Sequence, residues 1–86
     1  MYKALILPKA KQDISDAAIW YESKKSGLGL RFTKAVRSKV SFIRQNPESA
    51  AVRYDQIRCV VLDVFPYMIH YTVDGEKKAV LIVAIF

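Results

Sequence analysis

An α+β fold is what this sequence predicts: a strand, a helical hairpin, then a three-stranded antiparallel meander, with both helices packed on one face of the sheet. Three observations carry that expectation. A short aliphatic run is closed by a proline, two apolar stripes recur at helical spacing with a glycine segment between them, and three apolar runs near the end are separated by turn residues.

Each element follows in order. Tyr2 to Leu7 is the first strand, ended by Pro8, whose missing N–H is harmless in the first turn of a helix. Ala10, Ile14, Ala17, Ala18 and Tyr21 then share one helix face, with Ile19 and Trp20 outside it. That helix should stop within Ser23-Lys24-Lys25-Ser26-Gly27, where lysines meet the negative helix end and glycine permits the turn. A second helix runs from about Leu28 to Gln45. Leu28, Phe32, Ala35, Val36, Val40 and Ile43 form its inner face, while Lys34, Arg37, Ser38, Ser41 and Arg44 lie outside. Lys39 borders the inner stripe and must extend along its own stem to reach water. Asn46-Pro47-Glu48 ends the helix, since proline disfavours helical backbone in the residue before it. The meander is Ile57 to Val64, Tyr67 to Val73 and Lys78 to Phe86, with turns at Phe65-Pro66 and Asp74-Gly75.

The chain has 86 residues, enough for one domain spanning 1–86. With 52% hydrophobic residues, 26% charged residues and few glycines or prolines, it reads as folded rather than disordered. A single cysteine, Cys59, excludes an internal disulfide and fits a reducing cytoplasm. No apolar run is long enough to cross a bilayer, and the N-terminus lacks the pattern of a signal peptide. The formal net charge of +6 suits solubility first, an acidic protein partner second and direct nucleic-acid binding third, because the cations form no dense block.

Strand alternation then divides the sheet into two faces. A symmetric loop at Phe65-Pro66 pairs Asp63 with Met68, Val61 with His70 and Cys59 with Thr72. Val60, Leu62, Val64, Tyr67, Ile69, Tyr71 and Val73 fall on the other side, the side for the helices to cover. In the last strand Val80, Ile82, Ala84 and Phe86 are expected in the core, and Ala79, Leu81, Val83 and Ile85 beside Cys59, Val61 and Met68. One hairpin covers one face, so the second apolar face is either a partner surface or a shielded central region.

Several segments together resemble the ParE/RelE toxin superfamily. Gly27-Leu28-Gly29-Leu30-Arg31-Phe32 is similar to its GLG-x-RF helix opening, and Asn46-Pro47-Glu48 to its helix-ending NPE. Phe65-Pro66-Tyr67-Met68-Ile69-His70-Tyr71 is similar to the FPY-x-I-x-Y strand, and Leu81 to Phe86 to the last strand. The resemblance spans nearly the whole chain and leans to the ParE branch. It implies the toxin of a type II toxin–antitoxin pair of the plasmid-stabilisation type, neutralised by a cognate acidic antitoxin and bound to it as a hetero-oligomer. ParE-like members block DNA gyrase, whereas RelE-like members cut mRNA on the ribosome.

Cleavage of RNA by a 2′-hydroxyl needs a base, an acid and cations on the developing phosphate charge. The resemblance places the lysines of the nuclease members at Cys59 and Val61, an arginine at Met68, and a His- and Arg-bearing tail beyond Phe86. No catalytic residue, metal or other cofactor is therefore expected. A protein-binding toxin is the leading reading; a ribosome-dependent endoribonuclease and a truncated toxin that only holds its antitoxin are the alternatives. His70, diagonal to Asp63, reads as a polar residue on an apolar face rather than an acid–base partner. Cys59 reads as a structural thiol.

The expected antitoxin surface comprises Cys59, Val61, Met68, Leu81 and Val83 on the uncovered face. Trp20 is added as an aromatic residue off the buried stripe, suited either to an interface or to packing on the second helix. A basic rim of Arg44, Arg53, Arg58, Lys77 and Lys78 would meet the antitoxin's acids or remain simply solvated. Neither a membrane nor nucleic acid bound without the antitoxin is expected as a partner.

Overall fold

The computed structural model describes residues Met1–Phe86 in the order β1 (Lys3–Ile6), α1 (Pro8–Lys24), α2 (Leu28–Gln45), β2 (Val52–Tyr54), β3 (Ile57–Val61), β4 (Met68–Asp74) and β5 (Ala79–Ile85). The five strands form one mixed sheet ordered β1-β5-β4-β3-β2, with β1 parallel to β5 and the other pairs antiparallel. Both helices lie on one face, as the alternating pattern requires. Their stripes meet Leu62, Ile69, Tyr71, Val80 and Ile82 in a single buried cluster that includes Ala10, Ala17, Phe32, Val36, Val40 and Ile43. Lys39 emerges from the edge of this stripe and reaches Asp63, Nζ to Oδ1 3.5 Å.

The hairpin is closed by the Gly-Leu-Gly segment. Gly27 sits at φ 89°, a left-handed conformation that glycine adopts without steric cost. Gly29 lies where α2 crosses α1; a Cβ there would stand 2.6 Å from the Ala18 carbonyl oxygen. The Glu22 carboxylate, in the last turn of α1, accepts hydrogen bonds from the amides of Gly27 and Gly29 at 3.0–3.1 Å. It thus satisfies orphan donors at the N-terminus of α2 and meets the positive end of that helix dipole.

Two tethers fix the loop after α2. The Tyr71 hydroxyl, rooted in the core, donates to the Pro47 carbonyl at 2.9 Å, and Arg58 donates to the carbonyls of Glu48 and Ala50. Between β3 and β4, Phe65 turns inward against Phe32 and Tyr21, with ring centroids 5.2 and 4.9 Å away. The chain reaches that position through an Asp63–Phe65 γ-turn with Val64 at φ 73°. Positive φ is strained for a β-branched residue, and burial of the Phe65 ring offsets the cost.

The structure corrects the sequence expectation at five places. The first strand is shorter by a residue at each end. The strand expected over Ile57–Val64 ends at Val61, because the γ-turn takes Val64 out into solvent. The register of β3 on β4 is shifted by two residues, pairing Val61 with Met68 and Cys59 with His70. A shift of two preserves parity, so the face assignment of this pair survives. An unexpected strand, β2, joins β3 through a two-residue turn at Asp55 and Gln56, both at positive φ; without glycine or asparagine, that turn carries no sequence signal.

The fifth correction changes the face of the last residues. Tyr71 pairs with Ile82 but His70 pairs with Ala84, so β5 carries one extra residue, a β-bulge at Val83. Beyond it the alternation inverts. Ile85 enters the core opposite Ile69, whereas Ala84 joins His70 on the open face and Phe86 follows it there.

The tight crossing at Gly29 yields a stability prediction. Gly29→Ala gains up to about 1 kcal/mol of helix propensity, but overpacking against a backbone oxygen costs about 1–3 kcal/mol, and backbone cannot swing aside as a side chain can. The urea unfolding midpoint should fall, with a net loss of about 1–2 kcal/mol. An unchanged or raised midpoint would mean that the helices separate freely here.

Candidate functional site

The face without helices is built by β1, β5, β4, β3 and β2. Leu5 pairs with Leu81, and Met68 with Val61. Leu5 and Val61 are respectively 48% and 58% exposed, and Met68, Leu81 and Cys59 are half-buried. Val83 is half-buried at the bulge. Of the residues predicted for this surface, Cys59, Val61, Met68 and Leu81 therefore share it. Phe86, expected in the core, and Tyr54, for which the sequence carries no expectation, complete it.

At the centre of the face lies His70, which is only 3% exposed. The expected diagonal to Asp63 is not formed; the partners are Cys59 and Tyr54. The Tyr54 hydroxyl stands 3.1 Å and the Cys59 Sγ 3.2 Å from His70 Nδ1. The Phe86 ring stacks on the imidazole at 4.1 Å and 14°, and Nε2 has no hydrogen-bond partner. Burial pushes the His70 pKa below its ordinary value. The Phe86 backbone and Asp13 favour the charged form, Arg53 and Lys9 oppose it, and burial prevails. The result is a neutral imidazole roofed by two aromatic rings. A hydrogen-bonded thiol, phenol and imidazole sit beneath an apolar surface, with Cys59, Val61 and Met68 on the same face.

Phe86 owes its place to Asp13. β1 ends at Ile6 and its last bond to β5 is from the Leu7 amide to the Ile82 carbonyl, so the outer edge of β5 beyond the bulge has no strand beside it. The Asp13 carboxylate takes the neighbour's part, accepting the Ile85 amide at 2.9 Å while Lys9 pairs with it at 2.6 Å. Burial raises the Asp13 pKa, but the hydrogen bonds from Lys9 and the Ile85 amide outweigh it and leave the carboxyl below its ordinary value.

Beside this edge runs a groove of about 620 Å³, lined by Asp13, Trp20, Tyr21, Tyr67 and Phe86 among others. Trp20 is 54% exposed on α1, away from the sheet face, and the groove connects it to Phe86 around the end of β5. Ile19, adjacent on the helix, is also exposed.

The predicted basic rim does not assemble. The Arg44 Nε donates to the Tyr2 carbonyl at 2.8 Å and holds β1 to α2. Arg58 lies on the helix side of the sheet, where it supports the loop after α2. Arg53 on β2 and Lys77 and Lys78 in the β4–β5 loop are exposed. No cluster of three or more His, Cys, Asp or Glu residues suits a metal ion, and no helix is long and apolar enough to cross a membrane.

Two helices on one face of a five-stranded mixed sheet is the architecture of solved toxin–antitoxin structures. The chain is similar to one from the intact E. coli RelBE toxin–antitoxin complex, with TM-score 0.69 and 17% identity, covering 99% of this chain and 94% of that one. It is equally similar to one from the chromosomal ParDE system of P. aeruginosa, with TM-score 0.70, 20% identity and the same coverage. No curated protein sequence matches it. Residues 5–86 match the family described as the ParE toxin of the type II toxin–antitoxin system parDE, and the chain belongs to that family. It is a type II toxin of the ParE/RelE superfamily.

The buried imidazole makes stability depend on pH. Folded His70 holds a proton less tightly than an unfolded histidine, so the unfolded chain takes up more protons as pH falls past about 6.5. Stability should decline from there to the lower folded pKa and then level off. Asp13 acts only below its ordinary 3.8 and leaves this window clear. Urea unfolding at pH 7.5 and 5.5 should show the lower midpoint at pH 5.5, and His70→Gln should flatten the difference. A dependence that persists in the variant would locate the titrating group elsewhere.

Proposed function

We propose that this toxin acts by binding proteins and not by cleaving RNA, with an acidic antitoxin covering the open sheet face and DNA gyrase as its target. The observation that carries the reading is the apolar character of that face at Cys59, Val61 and Met68, where the nuclease branch is expected to carry cations. Transition-state stabilisation at phosphorus needs cations or metal ions positioned on the developing charge. The His70 ring, sealed under Phe86 and Tyr54, is also poorly placed to exchange a proton with a bound substrate.

An antitoxin segment on this face would remove Leu5, Tyr54, Val61, Met68 and Leu81 from water. Full burial of such apolar side chains is worth about 1.5–3 kcal/mol each, enough to drive folding of a disordered segment onto the sheet. The groove from Phe86 to Trp20 continues the same apolar surface around the end of β5, which supports one partner occupying both. At the margins Arg53, Lys77 and Lys78 would meet its acidic residues.

Met68→Glu and Val61→Asp place an unpaired charge in that contact while leaving the helix-covered core intact. Each should weaken antitoxin binding by at least about 100-fold, or about 2.7 kcal/mol, with unchanged circular dichroism. Titration calorimetry with the antitoxin encoded beside the toxin measures it. Wild-type affinity in both variants would put the antitoxin elsewhere, with Trp20 the next residue to replace.

The target is tested separately. Antitoxin-free protein should inhibit supercoiling by purified gyrase, and its expression should provoke filamentation and DNA-damage signalling. Unimpaired gyrase at large molar excess would favour a toxin that only holds its antitoxin. Cuts in mRNA at the ribosomal A site, lost on His70→Ala, would favour the endoribonuclease.

A further inference from the structure

We infer that the outer face of α2 is a binding surface for the phosphate backbone of nucleic acid. The helix carries Arg31, Lys34, Arg37, Lys39 and Arg44 and no acidic residue. Two of these cations are spoken for: Lys39 pairs with Asp63, and Arg44 holds the Tyr2 carbonyl. Arg31, Lys34 and Arg37 are exposed, make no ion pair or side-chain hydrogen bond within the chain, and recur every three residues along one side of the helix. Ser38 and Ser41 continue the same side. Three of the chain's fourteen lysines and arginines are thus aligned on one side of a helix that carries no acid to offset them.

The face also has relief. Arg31, Lys34 and Ser38 border a shallow depression of about 310 Å³ floored by Ala35 and Phe65, with Val64 and Asp63, the latter already paired with Lys39, on its far wall. Guanidinium, ammonium and hydroxyl groups around one hollow are the donor set that phosphate contacts use. At 1.5 Å per residue the row from Arg31 to Arg37 is about 9 Å long. A duplex presents one charge per roughly 1.7 Å of axis, so all three cations can lie along one stretch of backbone.

An acidic protein would also be attracted, but the row lacks what protein interfaces place at their centre. Between Arg31 and Ser41 the apolar side chains of α2, Phe32, Val36 and Val40, point into the core; the exposed apolar neighbours, Leu30 and Phe42 at the ends of the row and Val64 on the wall of the hollow, are scattered around it rather than gathered at its centre. Protein interfaces draw most of their energy from desolvated apolar anchors, whereas phosphate binding needs only charge and hydrogen bonds. The apolar face of the molecule is the sheet, on the opposite side of the helices, and it stays free when α2 is occupied. The charge ranking read from sequence, which put nucleic acid last, is reversed for this face.

Fluorescence anisotropy with a labelled 20-base-pair duplex and antitoxin-free protein decides the matter. At about 50 mM salt binding should be micromolar or weaker and independent of sequence, with log K falling against log salt at a slope of about −2.7 for three phosphate contacts. Arg31→Gln/Lys34→Gln/Arg37→Gln should raise Kd at least tenfold and remove most of that slope. Lys3→Gln/Lys77→Gln/Lys78→Gln, which removes the same charge elsewhere, should change Kd less than threefold. Both variants should keep the wild-type unfolding midpoint. Absent binding, or equal weakening by the control, would overturn the inference. So would calorimetry in which polyglutamate binds more tightly than the duplex and loses that affinity in the α2 variant, since the face would then belong to an acidic protein.

Discussion

The close approach of α1 and α2 at Gly29 is the constraint on which the layering rests. Two amphipathic helices cover one face of a sheet only if their apolar stripes point the same way, and the short connection between them must fix that relation. Glycine at 29 lets α2 come within contact of the Ala18 carbonyl, while Glu22 caps the α2 amides exposed by the turn. With both helices committed to one side, neither covers the other side. The open apolar face is therefore a consequence of the hairpin geometry, and so is the exposure of the α2 cations on the far side of the helical layer.

The bulge at Val83 is the second determinant, and it acts on the site directly. Without the extra residue, strict alternation would send Ile85 to the open face and Phe86 to the core. With it, Ile85 packs against Ile69, and Phe86 is laid over His70. Asp13 stabilises this arrangement by accepting the Ile85 amide where β1 has ended. One carboxylate on α1, more than 70 positions from its partner in sequence, thus helps decide whether His70 is wet or roofed.

Much of the fold was legible because its signals are local and periodic. The α2 limits, the inner stripes of both helices and the parity of β3 on β4 followed from spacing and turn residues. What the sequence concealed depends on contacts without local signature. The Asp55-Gln56 turn has no glycine or asparagine to announce it, so β2 and its Tyr54 went unseen. A bulge inside an evenly apolar strand leaves no mark either, which is why Phe86 was placed in the core. The candidate surface was accordingly half legible: Cys59, Val61, Met68 and Leu81 were found, Tyr54, Phe86 and Leu5 were not. Arg44 and Arg58 were read as rim residues because a free carbonyl awaiting a guanidinium cannot be seen in sequence.

The molecule that results has two outer surfaces of opposite chemistry, one on each side of the helix–sheet sandwich. The sheet side presents apolar side chains around a neutral, covered histidine; its attraction is short-ranged and insensitive to salt. The α2 side presents unpaired cations around a shallow hollow, and its attraction is long-ranged and screened within about 8–10 Å at physiological salt. Such surfaces do not compete for the same kind of partner. A segment folding onto the sheet would leave the cations of α2 exposed, so occupancy of one face need not silence the other. Their coupling, if the protein has any, must pass through the helical layer at Gly29 and Ala18, where the packing is tightest and leaves least room for independent motion.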